Sequence, residues 1–119
     1  MYFIDEGIKL FNKADFFAAH DFFEDIWIDA KNEDKLFFQG LVQISVGCYR
    51  LICGNFSGAK SQLRKGEEKL NRFSPAFLKV DVEELLFNLR KVLSALKNHK
   101  NPEEKRIIDL LDFQIKFIN

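Results

Sequence analysis

The sequence has few of the residues that interrupt regular structure. Its 119 residues include six glycines and two prolines, so the turns must be few and the elements between them long. Cysteine is equally scarce, since Cys48 and Cys53 are the only two and lie five residues apart without a Cys-x-x-Cys pattern. The N-terminus shows no secretory signal. We therefore expect both cysteines to be reduced residues in the core of a cytoplasmic protein.

The sequence also lacks net charge, because 18 basic residues balance 18 acidic ones. This balance argues against a protein that binds nucleic acid by neutralising phosphates. The charges are nevertheless segregated: residues 1–34 carry nine acidic and three basic groups, whereas residues 35–80 carry two acidic and eight basic ones. We expect the two segments to face each other, within the fold or across a dimer. The alternative is an anion-binding patch around Lys60, Arg64 and Lys65.

No apolar stretch is both long and uninterrupted. Residues 36–53 have the length of a membrane span, but Gln39, Gln43 and Arg50 interrupt them, which favours a helix inside a soluble bundle. The chain has the length of a single domain, so we expect one hydrophobic core over residues 1–119. Phenylalanine must fill most of that core, because the sequence contains 14 of them.

Hydrophobic spacing is helical throughout, and no segment alternates with period two for long enough to predict a strand. The expected fold is therefore all-α, with six helices near residues 4–13, 15–31, 34–53, 56–73, 82–98 and 103–117. Asp15 and Asp81 are predicted helix N-caps, and Asn55 is predicted to start the fourth helix. Asn101 and the proline after it are predicted to start the last helix. His99 is expected to end the fifth, where the helix dipole favours a cation.

An internal repeat with an offset of forty relates the first two helices to the next two. The matching residues are Gly7, Phe11, Asp15, Phe16, Ala19 and Phe23 with Gly47, Leu51, Asn55, Phe56, Ala59 and Leu63. This pattern resembles tetratricopeptide-type hairpins, in which a small residue lets two helices approach and an aromatic residue after the turn locks them together. We expect two related hairpins, closed by two further helices.

The candidate site consists of polar and aromatic residues on the apolar faces of the second and third helices. These residues are His20, Glu24, Trp27, Gln39, Gln43, Tyr49 and Arg50. His20 and Glu24 lie one helical turn apart and point the same way. We expect their face to dock against the third helix, where Gly40 and Gly47 would allow a close approach.

Two interpretations of this constellation remain open. In the first, the groups form a buried network in which Glu24 pairs with Arg50 and His20 pairs with Gln39 or Gln43, because buried polar groups need partners. In the second, His20 and Glu24 line a pocket, either as metal ligands or as a general base and the carboxylate that orients it. Apolar walls from Trp27 and Tyr49 would serve either arrangement.

The same residues resemble a known family, the small helical proteins grouped as domain of unknown function 309. The residues that carry the resemblance are 10–12, 16–20 with Glu24 and Trp27, 38–43, 46–49, 54–55 with Ala59 and Leu63, 73–75, and 80–82. The resemblance covers most of the first 90 residues and implies an all-α fold and a metal-dependent hydrolase activity. The family pattern often has histidine where this sequence has Arg50, so the second imidazole of a metal site is missing here.

These observations lead to two functions of different classes. We favour a non-enzymatic interaction or scaffold domain, in which the polar network holds the hairpins in register and the protein binds a protein partner or a second copy. The alternative is a metal-dependent hydrolase or small-molecule binder that uses His20 and Glu24 as its catalytic residues. A divalent metal is the implied cofactor of that alternative, but two ligands do not support it by themselves.

Overall fold

Six α-helices form the framework of the computed structural model, which describes residues 2–98 and 101–118. They are α1 (Asp5–Asn12), α2 (Phe16–Asp29), α3 (Asn32–Ile52), α4 (Phe56–Leu70), α5 (Val82–Asn98) and α6 (Glu104–Leu110). A 3₁₀ turn at Asn71–Phe73 extends α4, and the strands β1 (Ala76–Phe77) and β2 (Val80–Asp81) pair antiparallel before α5. The predicted all-α fold is confirmed. The prediction for His99 lies outside the described residues.

The first two hairpins, α1–α2 and α3–α4, turn in the same way. Asp15 caps α2 and Asn55 caps α4, each accepting a hydrogen bond from the backbone amide three residues further on. The residue before each cap has a positive φ, 64° at Ala14 and 83° at Gly54. Both predicted helix starts are therefore correct, and they occupy equivalent positions of the repeat.

Helix contacts within the two hairpins are also equivalent. A Cβ atom on Gly7 would lie 2.6 Å from a ring carbon of Phe23, and one on Gly47 would lie 2.6 Å from Leu63 Cγ. Real Cβ atoms do not approach other carbons so closely, so each glycine is required for the contact between its two helices. The repeat found in the sequence corresponds to two structurally related hairpins.

One continuous hydrophobic core runs through the described chain, from Ile4 in the N-terminal segment to Ile115 near the C-terminus. Its buried phenylalanines are Phe11, Phe16, Phe23, Phe37, Phe38 and Phe73. Of the two cysteines, Cys48 is buried in this core, as predicted, but Cys53 is exposed. The prediction for Cys53 is wrong because this residue follows the last turn of α3, outside the packed face.

The C-terminal segment differs from its prediction. The last helix ends at Leu110 instead of continuing to 117, and its N-cap is Glu103, whose side chain makes no capping hydrogen bond. After α6 the chain is extended, and Phe117 forms an isolated β-bridge with Val80. Long-range hydrogen bonds hold this segment, since the Asn12 side chain bonds both the N–H and the C=O of Ile115, at 2.8 and 3.0 Å.

Among the described residues, no helix combines the length and the apolar character that crossing a membrane requires.

Candidate functional site

The packing of α2 places His20 and Glu24 at the edge of the core. Phe16, Ala19 and Phe23 form the buried face of α2, and the two polar residues lie beside it. The side chain of His20 is 21% exposed and that of Glu24 is 43% exposed. The prediction that this pair belongs to a fully buried network is therefore wrong, because both side chains are half-buried and partly exposed to solvent.

The His20 ring is held by its own helix. Its Nδ1 lies 2.7 Å from the backbone oxygen of Phe17. A carbonyl oxygen can only accept a hydrogen bond, so Nδ1 carries the proton and donates. The lone pair of the neutral ring then lies on Nε2, which is 4.0 Å from Glu24 Oε2. That distance exceeds hydrogen-bonding range, so His20 and Glu24 are neighbours without a direct bond.

Aromatic rings extend the surface beside His20. The Phe17 ring lies 5.1 Å from the His20 ring and 5.4 Å from the Tyr49 ring, measured between centroids. Phe17 is at the start of α2 and Tyr49 near the end of α3, so the two helices run antiparallel here. The pKa of Tyr49 is raised, first by hydrogen bonding to the Cys53 side chain and then by the charge of that side chain.

The predicted polar network is not formed among the residues that the structure describes. Arg50 makes no ion pair there, and the buried Oε1 atom of Gln43 has no hydrogen-bond partner. Gln39, Gln43 and Arg50 are half-buried on the neighbouring helix. The predicted pairings fail for a physical reason: the Phe17 carbonyl already pairs with His20 Nδ1, and the Glu24 side chain is partly exposed, so neither group requires the predicted buried partner.

Trp27, expected as an apolar wall of the site, contacts a lysine of α3. The Nζ atom of Lys35, in the first turn of α3, lies 5.1 Å from the Trp27 ring centroid and donates hydrogen bonds to the backbone oxygens of Trp27 and Ile28. Lys35 therefore closes the C-terminal end of α2, where a cation is favoured. Sequence reasoning did not identify Lys35, because its partners are backbone oxygens of another helix.

Asp21 is a third candidate metal ligand beside His20 and Glu24. One donor atom each of His20, Asp21 and Glu24 lies within 4.8 Å of the others. One imidazole and two carboxylates form a donor set that divalent transition metals accept. Bonds of about 2.1 Å would bring the donors closer together than this, so the side chains would have to turn inward. Sequence reasoning did not select Asp21, because this residue lies on the solvent-exposed side of α2.

Comparison with known proteins supports the resemblance. Residues 4–62 match the model of the family described as "Domain of unknown function (DUF309)". No curated protein shows a significant match to the chain. The matched segment runs from α1 into α4 and contains every candidate site residue. The chain is thus a member of the domain of unknown function 309 family, through a segment that includes its first hairpin and α3.

Proposed function

We propose that the protein is a non-enzymatic interaction domain that docks a protein partner where α2 and α3 meet. The docking surface, here called the aromatic edge, consists of Phe17, Tyr49 and Ile52. The observation that carries the proposal is the contact between the Phe17 and Tyr49 rings, which are 50% and 42% exposed. Two helices thus contribute large apolar groups to one solvent-facing surface, together with the exposed Ile52.

Covering the aromatic edge would contribute substantially to the free energy of binding a partner. Phe and Tyr side chains each bury about 150–250 Å², so covering the exposed half of two rings removes about 200 Å² of apolar area from water. At about 25 cal/mol per Å², that gives about 5 kcal/mol before the cost of association. Asp21 lies one turn from Phe17, so the expected partner combines an apolar group with basic ones.

A site-specific photo-crosslinker tests this function. A benzophenone amino acid placed at Phe17 in the full chain should form a discrete adduct in cells, and Tyr49→Ser should weaken it. The matched control is the same photo-crosslinker at Phe87, which is also exposed but lies on α5. Adducts that are identical from both positions, or absent from Phe17, would contradict the proposal.

A second function, divalent-cation binding, is favoured by the orientation of His20. Metal-bound histidines usually donate their other ring N–H to a carbonyl or carboxylate, and His20 Nδ1 is bonded to a carbonyl in this way. The free Nε2 then faces Glu24, with Asp21 close by. A metal held there would supply an activated water, the chemistry that a hydrolase needs.

Thermal unfolding with added Zn²⁺ or Mn²⁺ tests this second function. A cation at about 100 times its Kd stabilises the folded state by about 2.7 kcal/mol. That gain should disappear in His20→Gln and in Glu24→Gln. Asp25→Asn is the matched control, because Asp25 is an exposed acid of the same helix outside the cluster. Equal gains in all variants, or no gain in the unmodified protein, would exclude the site.

A further inference from the structure

The segregated charges of the chain do not neutralise each other within the fold. Between the acidic first third and the basic middle, the described residues form one ion pair, Glu33 with Arg72 at 3.5 Å. Both side chains of that pair are well exposed, so it contributes little. Inside one molecule the two segments pack together through α2 and α3, but their charges do not neutralise each other through ion pairs among the described residues.

The acidic charge is concentrated along α2. Asp21, Asp25 and Asp29 are spaced four residues apart, which aligns them along one side of the helix. All three are exposed, and none forms an ion pair with a described residue. Phe17 and Ile28, also exposed, lie on the same side. This acidic stripe therefore carries two apolar side chains that project into solvent.

The basic charge is concentrated along α4. Lys60, Arg64 and Lys65 make no ion pair with a described residue. They line one shallow depression of about 490 Å³, together with Ser57, Ser61 and Glu68. All six residues belong to α4, so the basic depression is an open surface between their side chains.

The repeat relates these two surfaces. Offset by forty, Glu24 corresponds to Arg64 and Asp25 to Lys65. Because both hairpins share their turn and their glycine contact, these residues occupy equivalent places on the second helix of each hairpin. Under the repeat, the acidic stripe and the basic depression therefore overlap at Asp25 and Lys65, with charges of opposite sign.

From this complementarity we infer that the partner is a second copy of the chain, with the acidic stripe of α2 in one copy against the basic depression of α4 in the other. This inference rests on the proposed interaction function. Phe17 and Ile28 are exposed beside the acidic stripe, so this contact would also cover apolar surface. Contact between two acidic stripes or between two basic depressions brings like charges together, so the charges select the unlike pairing.

The contact is expected to be weak and sensitive to salt. A stable interface buries about 800 Å² on each partner, and one helix against one helix covers less than this. A dimer in which both unlike contacts form at once doubles the covered area. Because exposed charges are screened over about 10 Å at 0.1 M salt and about 3 Å at 1 M, association should decline as salt is added.

Sedimentation equilibrium of the full chain tests the inference. Between about 10 and 500 μM, a range suited to a weak interface, the protein should self-associate in about 20 mM salt and dissociate in about 0.5 M. Two double variants each reverse the charge of one surface. They are Asp21→Lys with Asp25→Lys, and Arg64→Glu with Lys65→Glu. Each variant alone should associate at least about tenfold more weakly, since both of its surfaces then carry the same sign.

Mixing the two variants provides the decisive measurement, because the mixture restores unlike pairs and should form a hetero-complex. Glu103→Lys with Glu104→Lys, which makes the same change in net charge as the α2 reversal but at the start of α6, should leave self-association unchanged. Circular dichroism verifies that all variants are folded. An unmodified protein that stays monomeric in low salt overturns the inference, and so does association that neither reversal weakens. If the Phe17 photo-crosslinker then captures a different protein, the proposed function stands and only the second copy is excluded.

Discussion

Replacing Glu24 by Gln tests whether the polar residues of α2 and α3 act as a closed network or as an open site. The substitution removes the charge and keeps the shape of the side chain. Glu24 is 43% exposed and lies 4.0 Å from His20 Nε2, and exposed pairs of this kind contribute about 0.2–1 kcal/mol. With solvent screening, we expect a loss of about 0.5 kcal/mol or less. Breaking a buried charged network would instead cost about 3–5 kcal/mol.

Thermal and urea unfolding separate these two values. One kcal/mol shifts the melting temperature of a domain of this size by about 3–6 °C, so Glu24→Gln should lower it by less than about 3 °C. A closed network would lower it by about 10 °C or more. Asp25→Asn is the reference for loss of a charge on α2. A loss above about 2 kcal/mol relative to that reference would refute the open geometry described here.

Three further predictions concern packing and reactivity. Gly47→Ala should destabilise the protein by about 1–2 kcal/mol in urea unfolding, because overpacking outweighs the gain of about 0.5–1 kcal/mol in helix propensity. Asn12→Ala removes two hydrogen bonds to the backbone of Ile115 and should cost about 1–3 kcal/mol, with faster amide exchange at Ile115. Iodoacetamide should label Cys53 in the folded protein and Cys48 after unfolding, since burial blocks Cys48 and raises its pKa.

Local signals predicted most of the helical framework. The capping residues Asp15, Asn55 and Asp81 each act within three residues of their own position, and each accepts the predicted kind of hydrogen bond. Gly7 and Gly47 are visible in the sequence as small residues in the repeat, and each lies where the two helices of its own hairpin touch. Such features could be predicted because the atoms that determine them are close in sequence or related by the repeat. The prediction that Gly40 and Gly47 admit α2 is wrong, because both glycines pack against α4.

The β-hairpin before α5 could not be predicted in this way. Its two turn residues, Leu78 and Lys79, have φ values of 48° and 65°, a conformation that usually requires glycine or asparagine. The backbones of Lys79 and Asp81 hydrogen-bond to the C-terminal segment. Those bonds come from residues more than thirty positions away, so neither turn composition nor alternating hydrophobicity indicates the strands.

The sequence by itself determined that this protein lacks net charge and that its acidic and basic residues are segregated. It also placed Gly7 and Gly47 at equivalent positions of the two hairpins. It also determined which polar residues lie on the faces of α2 and α3. Only the tertiary structure decided that His20 and Glu24 reach solvent instead of pairing with Gln39, Gln43 or Arg50. The physical reason is that helical periodicity fixes the direction of a side chain around its own axis. Whether that direction ends in protein or in water depends on how the neighbouring helix is placed.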